Sequence, residues 1–131
     1  MTESTSTFRL PLRRHRMGRS DFQRAYSRGR RARGDDFTVV VIPNAVGRQR
    51  LGLSVGKRCW KRAVRRNRVR RVFREAFRLT RDRLPPGIDL IMIASTPRLE
   101  PRLEPCREQL ERLAWKAWRR WEEAASKERR R

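Results

Sequence analysis

Ala63-Val64-Arg65-Arg66-Asn67-Arg68-Val69-Arg70-Arg71-Val72-Phe73-Arg74-Glu75-Ala76-Phe77-Arg78 carries two patterns at once. At about 100° per residue, Val69, Val72, Phe73, Ala76 and Phe77 gather into one apolar stripe, the mark of a helix packed on a sheet. The opposite side holds Asn67, Arg70, Arg71, Arg74 and Arg78. No Gly or Pro interrupts residues 62–80, so the spacing predicts one long helix, closed off by Pro85, Pro86 and Gly87. Between positions 57 and 83 thirteen Lys and Arg are opposed only by Glu75 and Asp82. Pairs such as Arg70 and Arg74 are like charges at i, i+4, and each costs an isolated helix about 0.2–0.5 kcal/mol. An anion from outside must offset this. The preference for Arg over Lys points to phosphate, because the planar guanidinium donates two parallel hydrogen bonds. A merely solvated face would interleave both signs of charge.

Working outward from this helix, residues 51–55 read as a strand before it, and Asp89-Leu90-Ile91-Met92-Ile93-Ala94 after it is apolar enough for a buried central strand. Residues 37–42 form a β-branched run ending at Pro43, and the spacing predicts residues 37–42 and 51–55 as antiparallel neighbours. Further upstream, Ser20 or Asp21 can cap a short helix that carries Phe22, Ala25 and Tyr26 on one face and stops at Gly29. Downstream, Pro97, Pro101 and Pro105 punctuate a linker. Beyond it Leu110, Leu113, Ala114, Ala117, Trp118 and Trp121 recur at helical spacing up to a charged tail. These observations predict an α+β domain spanning residues 12–121, between a flexible basic tail (1–11) and a charged C-terminal tail (122–131).

The chain has 131 residues and a formal net charge of +22, from 36 Lys and Arg against 14 Asp and Glu. A compact state with that charge repels itself unless a polyanion neutralises it. No run of about 18 apolar residues spans a bilayer, and residues 1–12 lack the apolar core of a signal peptide, so a cytoplasmic setting is expected. Cys59 and Cys106 stand apart, without the spacing of a zinc site or a disulfide framework. His15 sits in a basic run, where a surface position or an RNA contact suits it better than general-base work. Asp35-Asp36 reads as the turn before Phe37 rather than a metal pair. No catalytic or metal-ligating constellation is visible.

The run from Ala63 to Arg78, centred on Arg66-Asn67-Arg68 and preceded by Lys57-Arg58, resembles the signature helix of bacterial ribonuclease P proteins. Around it the Asp21-Phe22 helix start and the Leu51-Gly52-Leu53-Ser54-Val55 strand are similar to that family too, and the resemblance covers roughly residues 12–120. It implies a single α+β domain like the second domain of a small-subunit ribosomal protein, in the order α-β-β-β-α-β-α with a left-handed βαβ crossover. Chain physics alone argues for the other hand, since parallel crossovers are right-handed in about 98% of cases. The third early strand is implied by the resemblance and is placed within residues 31–41.

The resemblance further implies an endonuclease that acts as a ribonucleoprotein and removes the 5′ leader from precursor tRNA. The catalytic groups and the Mg²⁺ ions would then be held mainly by the RNA subunit, one protein would bind per RNA, and the protein alone would be inactive. RNA-binding residues carry over onto Lys57, Arg58, Arg66, Asn67, Arg68, Arg70, Arg71 and Arg74. A cleft for the single-stranded leader carries over onto Phe22 and Tyr26, where bases could stack on the rings. Spacing alone favours core packing for these two rings, and it is the resemblance that turns the reading toward the cleft. Some relatives offer a further aromatic from the first long strand, where this sequence has Val40. A structural RNA-binding module of the ribosomal type is the alternative that shares the charge and the fold.

Overall fold

The computed structural model describes residues 16–56, 62–94 and 102–130. Its elements run α1 (Arg19–Arg28), β1 (Arg30–Arg33), β2 (Phe37–Pro43), β3 (Arg50–Ser54), α2 (Ala63–Thr80), a 3₁₀ turn (Arg81–Arg83), β4 (Ile88–Ala94) and α3 (Leu103–Arg129). This is the α-β-β-β-α-β-α order. The early strand missing from the residue-level reading is β1, a hairpin partner of β2, with the turn over residues 34–36 closed by Gly34 N–H donating to the Phe37 carbonyl at 2.9 Å. Gly29 sits where α1 meets β1. A side chain there would come within 2.5 Å of the Ala25 carbonyl and 2.9 Å of the Val41 carbonyl, so only glycine allows so abrupt a turn.

The four strands lie in the order β1-β2-β4-β3. β4 pairs antiparallel with β2 and parallel with β3, so β2 and β3 run in opposite directions without touching. This corrects the expectation that they are neighbours. The reason is the composition of β4: Leu90 and Met92 feed one core and Ile91 the other, and a strand apolar on both faces gains most from the centre of the sheet. Arg16 adds a parallel bridge at Leu51 on the outer side of β3.

One face of the sheet, through Phe37, Val39, Val41, Leu90 and Met92, packs on Val69, Phe73, Ala76 and Phe77 of α2 and on Leu110, Leu113, Ala114 and Ala117 of α3. The apolar stripes read from the sequence are therefore the core-facing stripes. Across the sheet, Val40, Ile42 and Ile91 pack with Met17 and Ala25 beneath α1, joined by Phe22, Ile93 and Trp121. Three boundaries differ from expectation. α1 begins at Arg19 with Gly18 as its N-cap, and Asp21 reaches back to accept the Gly18 N–H at 2.8 Å. Pro105 belongs to the first turn of α3, where its missing N–H would have had no helical acceptor. The helix itself continues through residues 122–129.

Candidate nucleic-acid interface

α2 presents its charge much as its sequence periodicity dictates. Arg62 caps it without a side-chain hydrogen bond, and no acid stands in the first turn to balance the helix dipole. Arg68, Arg71 and Arg74 are exposed and make no hydrogen bond or ion pair among the described residues. Others on the expected face are engaged. Arg78 pairs with Glu75 at 2.5 Å, and Arg70 donates to Asn67 Oδ1 at 3.1 Å and to the Val55 carbonyl at 3.3 Å. Arg70 thus leans over the end of β3 instead of standing on the outer face. Asn67 is exposed, and Arg66 is half-buried on the flank of the helix. Lys57 and Arg58 lie outside the described residues, as does His15.

On the far face of the sheet, Phe22 and Tyr26 stand with ring centroids 6.2 Å apart, but their surroundings differ. Phe22 packs into the second core and over Gly52, where a Cβ would come within 2.6 Å of the ring. Tyr26 is 39% exposed, with the Arg31 guanidinium 5.6 Å from its centroid. Val40 is fully buried in the second core, so this strand position offers no ring to a cleft here.

α1 is held on this face by a charge network that sequence reading missed. Arg50 donates through Nε and Nη2 to the two carboxylate oxygens of Asp89 at 2.8 and 2.9 Å, and Nη2 also reaches Asp21 Oδ1 at 3.0 Å. Asn44 Nδ2 adds a bond to Asp89 Oδ1 at 2.8 Å. Asp89 is fully buried, and its hydrogen bond is the main cause of a raised Arg50 pKa, so this guanidinium stays charged and committed. The signal for it was an acid opening an otherwise apolar strand.

The described residues bring together no group of three or more His, Cys, Asp or Glu that could hold a metal ion. None of the described helices is long and apolar enough to cross a membrane. Cys106 is buried, and burial, with the charge of Asp36 behind it, pushes its thiol up to about 12.

A family model described as Ribonuclease P matches residues 12–118. The chain belongs to the ribonuclease P protein family. A curated relative, the ribonuclease P protein component of Desulfotalea psychrophila, is 39% identical over 71 residues, covering 54% of this chain and 58% of the relative. That match therefore spans little more than half the relative's length. Among solved structures, the Staphylococcus aureus RNase P protein aligns with a TM-score of 0.66 at 31% identity, over 76% of this chain and 91% of that one. The Thermotoga maritima RNase P protein aligns with a TM-score of 0.54 at 28% identity, over 90% and 92% of the two chains. The α+β single domain is thus the fold of the ribonuclease P proteins. Arg66, Asn67 and Arg68 sit near the start of α2, on its flank and outer side. Trp115, exposed on α3, was not singled out by sequence reading. Its only sequence signal is a position off the apolar stripe formed by Leu110, Leu113, Ala114 and Ala117.

Proposed function

We propose that this chain is the protein subunit of a ribonuclease P ribonucleoprotein that removes the 5′ leader of precursor tRNA endonucleolytically in the cytoplasm. The observation that carries the reading is the one-signed outer face of α2. Arg68, Arg71 and Arg74 find no carboxylate among the described residues of a chain with net charge +22. Phosphates of the RNA subunit satisfy that face, with Arg66, Asn67, Arg70, Lys57 and Arg58 contributing around it. Such contacts position an RNA without reading its sequence. On the other side of the sheet, Tyr26 offers a ring to single-stranded leader bases and Phe22 supports it. Base–aromatic stacking tolerates any base, which suits a general leader site.

The Mg²⁺ ion is assigned mainly to the RNA subunit, and no step of the reaction is assigned to a protein-held metal. One protein per RNA is the expected stoichiometry. Reconstitution tests the reading. The purified protein should cleave nothing alone and should restore leader removal at low Mg²⁺ when its RNA is added. A pull-down with RNA sequencing should return one abundant structured RNA ahead of ribosomal RNA. Precursor processing by RNA-free protein at a comparable rate, or dominance of ribosomal RNA in the pull-down, sinks it.

A further inference from the structure

A tryptophan on the solvent side of a helix joins a flat apolar ring to an N–H that a partner can fix in place, so it can serve a ligand as well as a core. α3 turns Leu110, Leu113, Ala114 and Ala117 fully into the core, while Trp115 stays 36% exposed. Its ring is held in place, because Nε1 donates to the Arg83 carbonyl at 2.6 Å and ties α3 to the 3₁₀ turn after α2. Beside the ring lies an open groove of about 650 Å³, with Leu84 and Pro86 on its apolar side and Arg48, Gln49 and Arg81 on its polar side. Gln49 Nε2 donates to the carbonyls of Arg81 at 2.7 Å and Pro85 at 3.1 Å, so the walls are braced before any ligand arrives. The volume falls within the roughly 300–1,000 Å³ of pockets that take small ligands. Its rim carries one acid, Asp82, among the described lining residues.

We infer that this groove is a nucleotide subsite for the RNA subunit: an unstacked base of that RNA lies on the Trp115 ring, and its flanking phosphates meet Arg48 and Arg81. A fixed indole and neighbouring guanidiniums supply the two elements that recognise an unpaired nucleotide, a flat π-face and cations for the backbone. The RNA subunit is the source favoured by continuity. Arg71, Arg74, Arg78 and Arg81 follow one another at intervals of three or four residues, one row leading from the outer face of α2 into the groove. Tyr26 and the proposed leader site lie across the sheet, beneath α1. The inference rests on the proposed assembly with an RNA subunit and adds a second, base-contacting point to it.

Hydroxyl-radical footprinting of the wild-type chain, read by mass spectrometry, tests it without a substitution. Val64, 72% exposed on α2, reports contact with the basic face, and Trp115 reports the groove. Binding of the RNA subunit alone should protect both, and precursor tRNA should add nothing at Trp115. Protection of Val64 without Trp115 overturns the subsite and leaves the assembly standing. Protection of neither removes the assembly and the subsite with it. Protection of Trp115 only after precursor tRNA is added overturns the assignment to the RNA subunit. Variants then separate stacking from structure. Trp115→Phe keeps a π-face but loses the bond to Arg83 and should bind the RNA subunit close to wild type. Trp115→Leu should bind about 5- to 150-fold more weakly, the span of a lost base–aromatic stack. If W115F is as weak as W115L, or W115L binds as wild type does, the ring serves packing and the inference fails.

Discussion

Where α1 meets the sheet, Arg50 is clasped by Asp89 and Asp21 at 2.8 to 3.0 Å, whereas on α2 the exposed Arg68, Arg71 and Arg74 have no carboxylate partner among the described residues. The same side chain does opposite work in the two regions. At the junction it is an internal tie, desolvated and matched to a buried acid. On the helix it leaves a debt of repulsion that only an external anion removes. Arginine richness therefore does not locate an unneutralised basic face by itself, and the lack of carboxylate partners does.

The largest effect should come from breaking the matched region. Arg50→Met leaves Asp89 buried with only Asn44 beside it, and loss of one partner of a buried pair costs about 3–5 kcal/mol. Urea unfolding at fixed salt measures this. A cost under about 1 kcal/mol, the worth of an exposed pair, would mean that the junction is no different from a surface contact.

Next comes the unmatched region. Replacing Arg68, Arg71 and Arg74 with Ala should not destabilise the free protein and should raise its stability by up to about 1 kcal/mol, as like-charge pairs at about 0.2–0.5 kcal/mol each are removed. The log–log salt dependence of RNA-subunit binding should fall by about 2 to 3, at roughly 0.7 to 0.9 per phosphate released. An unchanged salt slope would show that these guanidiniums meet no phosphate.

The two rings of α1 sharpen the comparison on a smaller scale. Phe22→Ala should destabilise by about 2–3 kcal/mol, below the 3–5 of a fully buried ring, because Phe22 is half-buried over Gly52. Tyr26→Leu should leave stability nearly intact and reduce the preference for precursor over mature tRNA by about 1–3 kcal/mol at most. Wild-type discrimination in Y26L would remove the ring from the leader site.

The smallest effect concerns Cys106. Its folded thiol is raised to about 12 by burial, so above the ordinary thiol range the native side chain stays neutral where an unfolded one ionises. The stability this contributes is fully present below the ordinary thiol value of about 8.5 and is lost as pH rises through about 12. In a Cys59→Ser background, iodoacetamide at pH 8.5 should leave native Cys106 unmodified and label it in urea. Labelling at equal rates in both would show that Cys106 is open to solvent.

Local pattern made most of the elements readable. α2 was legible because its apolar stripe repeats with the helix period, and β4 because a short run apolar on both faces belongs in the middle of a sheet. β1 was not, because Arg30-Arg31-Ala32-Arg33 is polar and becomes a strand only by pairing with β2. The basic face of α2 followed from charge counting, yet Arg70 and Arg78 were placed on its open side before the structure showed them bonded to Asn67 and Glu75. A helical wheel gives direction but not the reach of a long side chain.

The sequence by itself determined the helical and apolar periods, the excess of positive charge and the Arg-Asn-Arg run that carried the family resemblance, since each depends on residues near one another in the chain. Tertiary structure alone decided that β4 separates β2 from β3, that Arg50 meets Asp89 across 39 residues, and that Phe22 is covered while Tyr26 and Trp115 are not. Those outcomes depend on strand register and on which faces meet, and contacts between distant segments leave no periodic trace in the segments themselves.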